Sequence, residues 1–408
     1  MIDGLFASIT SYPHSANIYK IRERNCIMSK QFNYKKKGTI ILLLCIFLLA
    51  QGCQNQDHTA QNLTTASDEQ KELERSLKPE EYPETITETL TDHVNIDADV
   101  DIAEGFDFSN AKLGIGTLYT IDCEEAEKIF MGNTEIVSVD DEKNQKGIRN
   151  VFYTGADHSY LDINPEEGYL SYYTELLTYI KQSFRKDEKL YSYNGECYNM
   201  SEDLPFADRK EVVKKIRNKL GKLGIVIGND YICYALPHKT MEEQEIAYNK
   251  YGDESEENKK EKWTEEDDCY YFEFKPEFDG IPVDIEGYGD CEDGKGMESS
   301  DFTVIYGKNG FVEVSIINLY DISDTGNTDK MLTPQEALAA LKEKYDALIL
   351  TEDYLVEHME LCYMPIFDAK GKYPVEPVWI FTVVTTDKET GYEYRDRVII
   401  DRNGKEVF

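Results

Sequence analysis

The chain has 408 residues and a formal net charge of −35 at pH 7, from 44 Lys and Arg against 79 Asp and Glu. That balance argues against nucleic acid and anionic lipid headgroups as partners, because phosphate binding needs clustered cations. With 41% hydrophobic and 12% aromatic residues, the chain can build real cores and is not a disordered polymer.

Residues 1–27 precede Met28. Secretory n-regions are short, so this stretch reads as an N-terminal extension from a start codon placed too early. From Met28 the chain begins as an exported protein does. Lys35, Lys36 and Lys37 form a basic n-region, and Thr39 to Ala50 form an apolar run, shorter than the ~20 residues of a spanning helix. The run closes on Leu49-Ala50-Gln51-Gly52-Cys53. This resembles the lipobox of bacterial lipoproteins, with Ala50 where the commonest pattern has Leu. The resemblance implies that residues 28–52 are a cleaved signal peptide and that Cys53 is the lipidation site. Two acyl chains would then hold the body on the outer, extracytoplasmic face of the cell membrane. Residues 53–91 read as the lipidated Cys and a flexible tether. Six cysteines follow, Cys123, Cys197, Cys233, Cys269, Cys291 and Cys362. They could form a disulfide framework or stay as thiols.

The first α+β domain is expected over 92–205. Val94 to Ile102 alternates apolar and acidic residues, the mark of a half-buried strand. Asp97, Asp99 and Asp101 begin like a calcium loop, but Ile102 and Phe108 stand where that loop needs Gly and Glu. Asp122 with Glu125 opens a short helix. Short aromatic runs from Val151 to Tyr172 form a meander with turns at 154–157 and 164–168. Glu175 to Phe184 reads as a helix.

The second α+β domain is expected over 206–330. Asp208 and Glu211 start a helix with Val212, Val213, Ile216 and Leu220 on one face. Lys214, Lys215, Arg217, Lys219 and Lys222 on its other side are a candidate partner-docking patch. Tyr270, Phe272 and Phe274 alternate as a strand, and Lys308-Asn309-Gly310 closes a hairpin. Asp321 to Asp329 is read as a connecting loop with some of the oxygen spacing of a calcium loop, but Leu332 replaces its Glu.

The last module spans 331–408. Thr333-Pro334-Gln335-Glu336 is an N-cap, a first-turn proline and a capping-box glutamate, and strands follow to the end. Thr333 to Leu341, Val378 to Val384 and Ile399 to Val407 resemble the PepSY-type modules of exported bacterial proteins. The resemblance implies a helix on an antiparallel sheet, and a role in regulating proteases or envelope signalling. The chain as a whole resembles the lipoproteins of gut clostridia.

The expected fold class is therefore α+β, with successive units of one helix packed on an antiparallel β-sheet. No Gly-x-Ser-x-Gly, His-Glu-x-x-His, P-loop or dinucleotide fingerprint occurs. The reading is accordingly non-enzymatic, with no catalytic residue, metal or cofactor. His358 and Cys362, four apart in a strand, could pair on a metal, though a surface His and a core Cys fit as well. The expected function is binding or regulating another envelope protein, such as a protease or sensor. The alternative is capture of a glycan or cationic peptide, the sugar stacking beside Trp263 or Trp379. An open-edged sheet favours the first reading and grooved aromatics the second.

Overall fold

In the computed structural model the described residues are 82–407, apart from 145–146, 186–193, 250, 285, 289–298, 367–372 and 388–390. The signal peptide, Cys53, most of the tether and Cys291 lie outside them. Chain order begins with β1 (Thr85–Thr91), β2 (Val94–Asp101), β3 (Ala111–Leu118) and α1 (Cys123–Phe130). The meander follows as β4 (Ile136–Lys143), β5 (Arg149–Gly155), β6 (Tyr160–Asn164) and β7 (Tyr169–Tyr173). Next come α2 (Leu176–Ser183), α3 (Arg209–Leu220), β8 (Tyr231–Leu236), α4 (His238–Gln244) and β9 (Cys269–Phe274). A small hairpin, β10 (Glu277–Phe278) with β11 (Ile281–Pro282), precedes β12 (Asp301–Gly307) and β13 (Gly310–Ile317). The chain closes with β14 (Tyr320–Asp329), α5 (Pro334–Asp346), β15 (Tyr354–Pro365), β16 (Tyr373–Thr386) and β17 (Glu393–Asp401).

Successive units of one helix on a sheet are not what forms. The described residues are mainly β, with three sheets and few helices among them. One sheet has the order β1-β2-β15-β16-β3-β14, with β17 also paired to β16. The other runs β4-β5-β6-β7-β13-β12-β9-β8, and β10 with β11 makes the third. Everything in the eight-stranded sheet is thus inserted between β3 and β14 of the first. The decisive pairing is non-local: β15 lies parallel to β2, with Tyr354 opposite Val94. Local periodicity carries no information about such a partner. β16 is long enough to serve two neighbours, β3 through Tyr373–Val375 and β17 through Val378–Thr386.

Local chemistry explains the element starts. Asp122 accepts from the Glu124 and Glu125 amides, and Asp208 from the Glu211 amide. Thr333 and Glu336 form a reciprocal capping box. β2 alternates strictly between buried and exposed residues, so Asp97, Asp99 and Asp101 are simply its solvent face. The segment read as a loop at Asp321 to Asp329 is β14. Its amides and carbonyls pair with β3, and Thr325 and Gly326 are accommodated in a bulge. β1 begins inside the stretch read as tether, where β-branched Thr85, Ile86, Thr87, Thr89 and Thr91 suit a strand.

Sheet and helices enclose distinct cores. One face of the eight-stranded sheet packs on α1 and α3, through Tyr270, Phe272, Phe274, Val212 and Ile216. Part of its other face packs under α2, α4 and Trp263. The first sheet packs against α5 through Trp379, Phe381, Leu338 and Leu341, and carries a smaller core on its reverse around Cys362 and Ile399. The two sheets meet where Gly168, at φ +60°, turns the β6–β7 hairpin against Leu319. A Cβ there would stand 2.5 Å from the Leu319 carbonyl oxygen. Gly168→Ala is expected to cost about 1–3 kcal/mol, since strained φ and backbone overlap add. A urea midpoint unchanged from the parent protein would show that the turn can relax.

Candidate functional site

The eight-stranded sheet ends at β4, whose outer edge has no partner strand among the described residues. Seven of its eight residues are exposed. Val139 pairs opposite Tyr153, Asp140 opposite Phe152 and Glu142 opposite Asn150. Side chains alternate across a strand, so Val139 and Asp141 lie on the core side and Asp140 and Glu142 on the outer face. Val137 and Val139 are 58% and 51% exposed, while Ile136 at the start of β4 packs against the core. A two-pronged bond fixes the edge to its neighbour: Arg149 Nε and Nη2 stand 2.9 and 2.8 Å from the two Asp141 oxygens. That bond holds the Asp141 carboxyl below the usual range.

The outer face continues inward as cross-strand rows. Phe152, Asp162, Ser171 and Ser315 form one row. Tyr160, Tyr173 and Glu313 form the next. The Tyr160 and Tyr173 rings stack at 5.0 Å. Asn150 Nδ2 donates to Asp162 at 2.5 Å and to Asn164 at 2.8 Å. Burial pushes the Asp162 carboxyl up, only partly offset by hydrogen bonds from Asn150 and the Tyr169 hydroxyl. Burial also raises the Glu313 carboxyl, although Lys181 Nζ lies 3.0 Å away. The surface therefore combines an unpaired backbone edge, exposed valines and a half-buried face of carboxylates and aromatic rings. An extended segment can add to such an edge by main-chain hydrogen bonds, with side-chain preference set by the alternating surroundings.

The residues singled out from sequence are placed as follows. On α3, Lys214 and Lys215 are exposed, as is Lys222 just beyond it. Arg217 is tied to the Gly228 carbonyl and Asn229, and Lys219 lies 4.9 Å from the Phe311 ring centre. Two of the five cations are thus engaged with the protein itself. Trp263 and Trp379 are buried, and their indole N–H groups donate to Glu245 and to the Leu332 carbonyl. Neither can stack a sugar. Cys362 is buried while His358 contacts Asp101 at 3.4 Å. Among the described residues no group of three or more His, Cys, Asp or Glu is placed to hold a metal. Cys123, Cys197, Cys233, Cys269 and Cys362 are free thiols, and burial pushes Cys233 up to about 12. No helix among the described residues is long and apolar enough to cross a membrane. The β4 edge was not singled out from sequence. Its signal was Val137-Ser138-Val139 followed by three acids, an alternation too short and too charged to stand out.

No family model and no curated protein matches the chain. Among solved structures, the fold is similar to an uncharacterized protein from Eubacterium rectale ATCC 33656, determined at 1.45 Å. The TM-score is 0.60 at 18% identity, over 79% of this chain and 93% of that one, a likeness of fold alone.

Proposed function

We propose that the chain is a membrane-anchored, extracytoplasmic, non-enzymatic lipoprotein that binds another envelope protein, such as a protease or sensor. The partner contributes an extended segment to the β4 edge. The observation that supports this is the edge itself, which is long, exposed and without a partner strand among the described residues, and carries Val137 and Val139. Asp140 and Glu142 on one face and the valines on the other favour a segment alternating basic and apolar residues. The carboxylates behind the edge extend the same preference. The cationic-peptide form of the alternative merges with this reading; its glycan form loses both tryptophans.

The test is photo-crosslinking from position 138, an exposed site on β4, of the full-length protein in its host. One dominant envelope protein is expected. The double substitution Val137→Glu and Val139→Glu is expected to cut its capture at least tenfold, corresponding to about 1.4 kcal/mol or more. Stability should shift by no more than about 0.5 kcal/mol, because both residues are exposed. Equal capture by parent and variant would remove the edge from the interface.

A further inference from the structure

Among the described residues, β1, β14 and β17 border the first sheet, and β4 and β8 border the eight-stranded one. Open strand edges invite pairing, and proteins blunt them with charges, bulges or covering segments. β8 and β17 are partly covered, by the bridges of Asn199 to Ala235 and of Glu406 to Ile400. β14 carries Asp321, Asp324 and Asp329 and a bulge at Thr325 and Gly326. β4 carries Asp140, Asp141 and Glu142 in succession. From Thr85 to Thr89, β1 has none of these devices. Glu88 is its one charge there, and all of that stretch except Ile86 is fully exposed.

Side chains alternate across the strand, so Thr85, Thr87 and Thr89 share one face and Ile86 and Glu88 the other. Thr87 Oγ1 donates to Asp97 and Thr89 Oγ1 to Asn95, each at 3.0 Å. Those bonds run inward to β2, so these two hydroxyl protons are used within the copy. The outer side of β1 therefore offers main chain flanked by neutral side chains. Their order is self-complementary. An antiparallel two-fold centred on Thr87 sets Thr87 opposite itself and Thr85 opposite Thr89 of a second copy. Neutral Thr–Thr pairs are favourable across strands. Ile86 then meets Glu88, and no like charges are opposed. Centring on Glu88 would oppose that carboxylate to itself, and centring on Ile86 would set it against Glu84, each a destabilising pair. Centring on Thr85 brings in Pro83, which has no N–H. Centring on Thr89 meets the irregularity between Thr89 and Thr91. The Asp97 and Asp99 carboxylates of β2 stay one strand behind the seam. Across it, β2 faces β2 at three strand spacings, about 14 Å, beyond the ~8 Å screening length of physiological salt.

We propose that β1 pairs with β1 of a second copy of this chain, antiparallel and centred on Thr87, so that one sheet runs through both copies. The contact is isologous, the same patch serving both sides. A five-residue seam is smaller than the ~1,200 Å² lower bound of standard stable interfaces, so the pairing is weak and reversible, and covalent trapping is the measurement that suits it. The seam and the β4 edge lie on different sheets and select differently. Acids on β4 repel a like copy and suit a cationic segment, whereas the neutral β1 edge admits a copy.

The test is disulfide trapping of the full-length protein in its host, with diamide as the oxidant. Directly opposed residues of an antiparallel pair have Cα atoms about 4.5–5.5 Å apart, inside the ~4.4–6.8 Å range that a disulfide spans. Thr87→Cys is expected to give a linked dimer well above the parent, whose exposed Cys197 sets the baseline. Thr85→Cys and Thr89→Cys should link when the two variants are expressed together and stay at baseline when either is expressed alone. The replaced threonines are exposed, so the fold should persist. No dimer above baseline from Thr87→Cys would overturn the pairing. Linking of Thr85→Cys alone at the Thr87→Cys level would overturn the register. Equal linking of Ser138→Cys, on the β4 edge, would mark collision rather than pairing at β1; it leaves capture of a different protein at β4 to be judged by its own crosslink.

Discussion

Trp379→Ala is expected to destabilise the protein by about 3–5 kcal/mol, the usual cost of removing a fully buried large aromatic residue. Trp379 is 0% exposed and stacks over Phe108 at 6.5 Å. It lies on β16, which pairs with β3, β15 and β17, and faces the core beneath α5. Its indole N–H donates to the Leu332 carbonyl at 2.9 Å, just before the α5 cap at Thr333. Alanine thus leaves a cavity and orphans a carbonyl at the entrance to the helix. Domains are typically stable by only about 5–15 kcal/mol, so the loss is a large fraction of the total. Trp379→Phe separates the two effects. It keeps most of the ring area and removes the donor, and is expected to cost less than half as much. Denaturant midpoints of the three proteins check this. A loss below about 1.5 kcal/mol for alanine would mean that the sheet collapses around the gap, as volume-tolerant cores do.

What the sequence made legible was whatever depends on neighbours in the chain. The caps at Asp122, Asp208 and Thr333 are local hydrogen bonds between residues two or three apart, and all three stand in the structure. The alternation of Val94 to Asp101 and the Lys308-Asn309 hairpin turn are equally local. The architecture was not legible, because β2 meets β15 across most of the chain and β3 meets β14 across the whole second sheet. Each pairing satisfies the same backbone groups that a nearer strand would, so periodicity cannot choose between them. β4 and β14 were missed for a related reason. Edge strands carry polar, charged residues on both faces and look like loops until a neighbour is supplied.

Arg397→Met is expected to cost about 3–5 kcal/mol at neutral pH, the effect of removing one partner from a buried ion pair. Arg397 on β17 reaches Asp284, just beyond β11, at 2.7 Å and Glu286 at 3.0 Å. Side-chain exposures of 24% for Arg397 and 11% for Asp284, against 69% for Glu286, make the Asp284 bond the one that matters. The second Asp284 oxygen is buried without a hydrogen-bond partner, so the guanidinium is its main compensation. Even with it in place, burial keeps the Asp284 carboxyl above its unfolded value. A raised acid pKa means that the folded state holds its proton more tightly. The contribution is therefore fully favourable below the unfolded pKa and is lost as pH rises through the folded one. Methionine removes the opposing charge and drives the folded pKa higher still. The gap between parent and variant should then be largest at neutral pH and shrink as acid protonates Asp284. Asp284→Asn together with Arg397→Met should recover much of the loss, because no uncompensated charge stays buried. Urea unfolding of the parent, single and double variants across pH 4 to 8 reads all three effects. A gap that stays constant with pH would assign the cost to lost packing of the arginine stem rather than to the charge it covers.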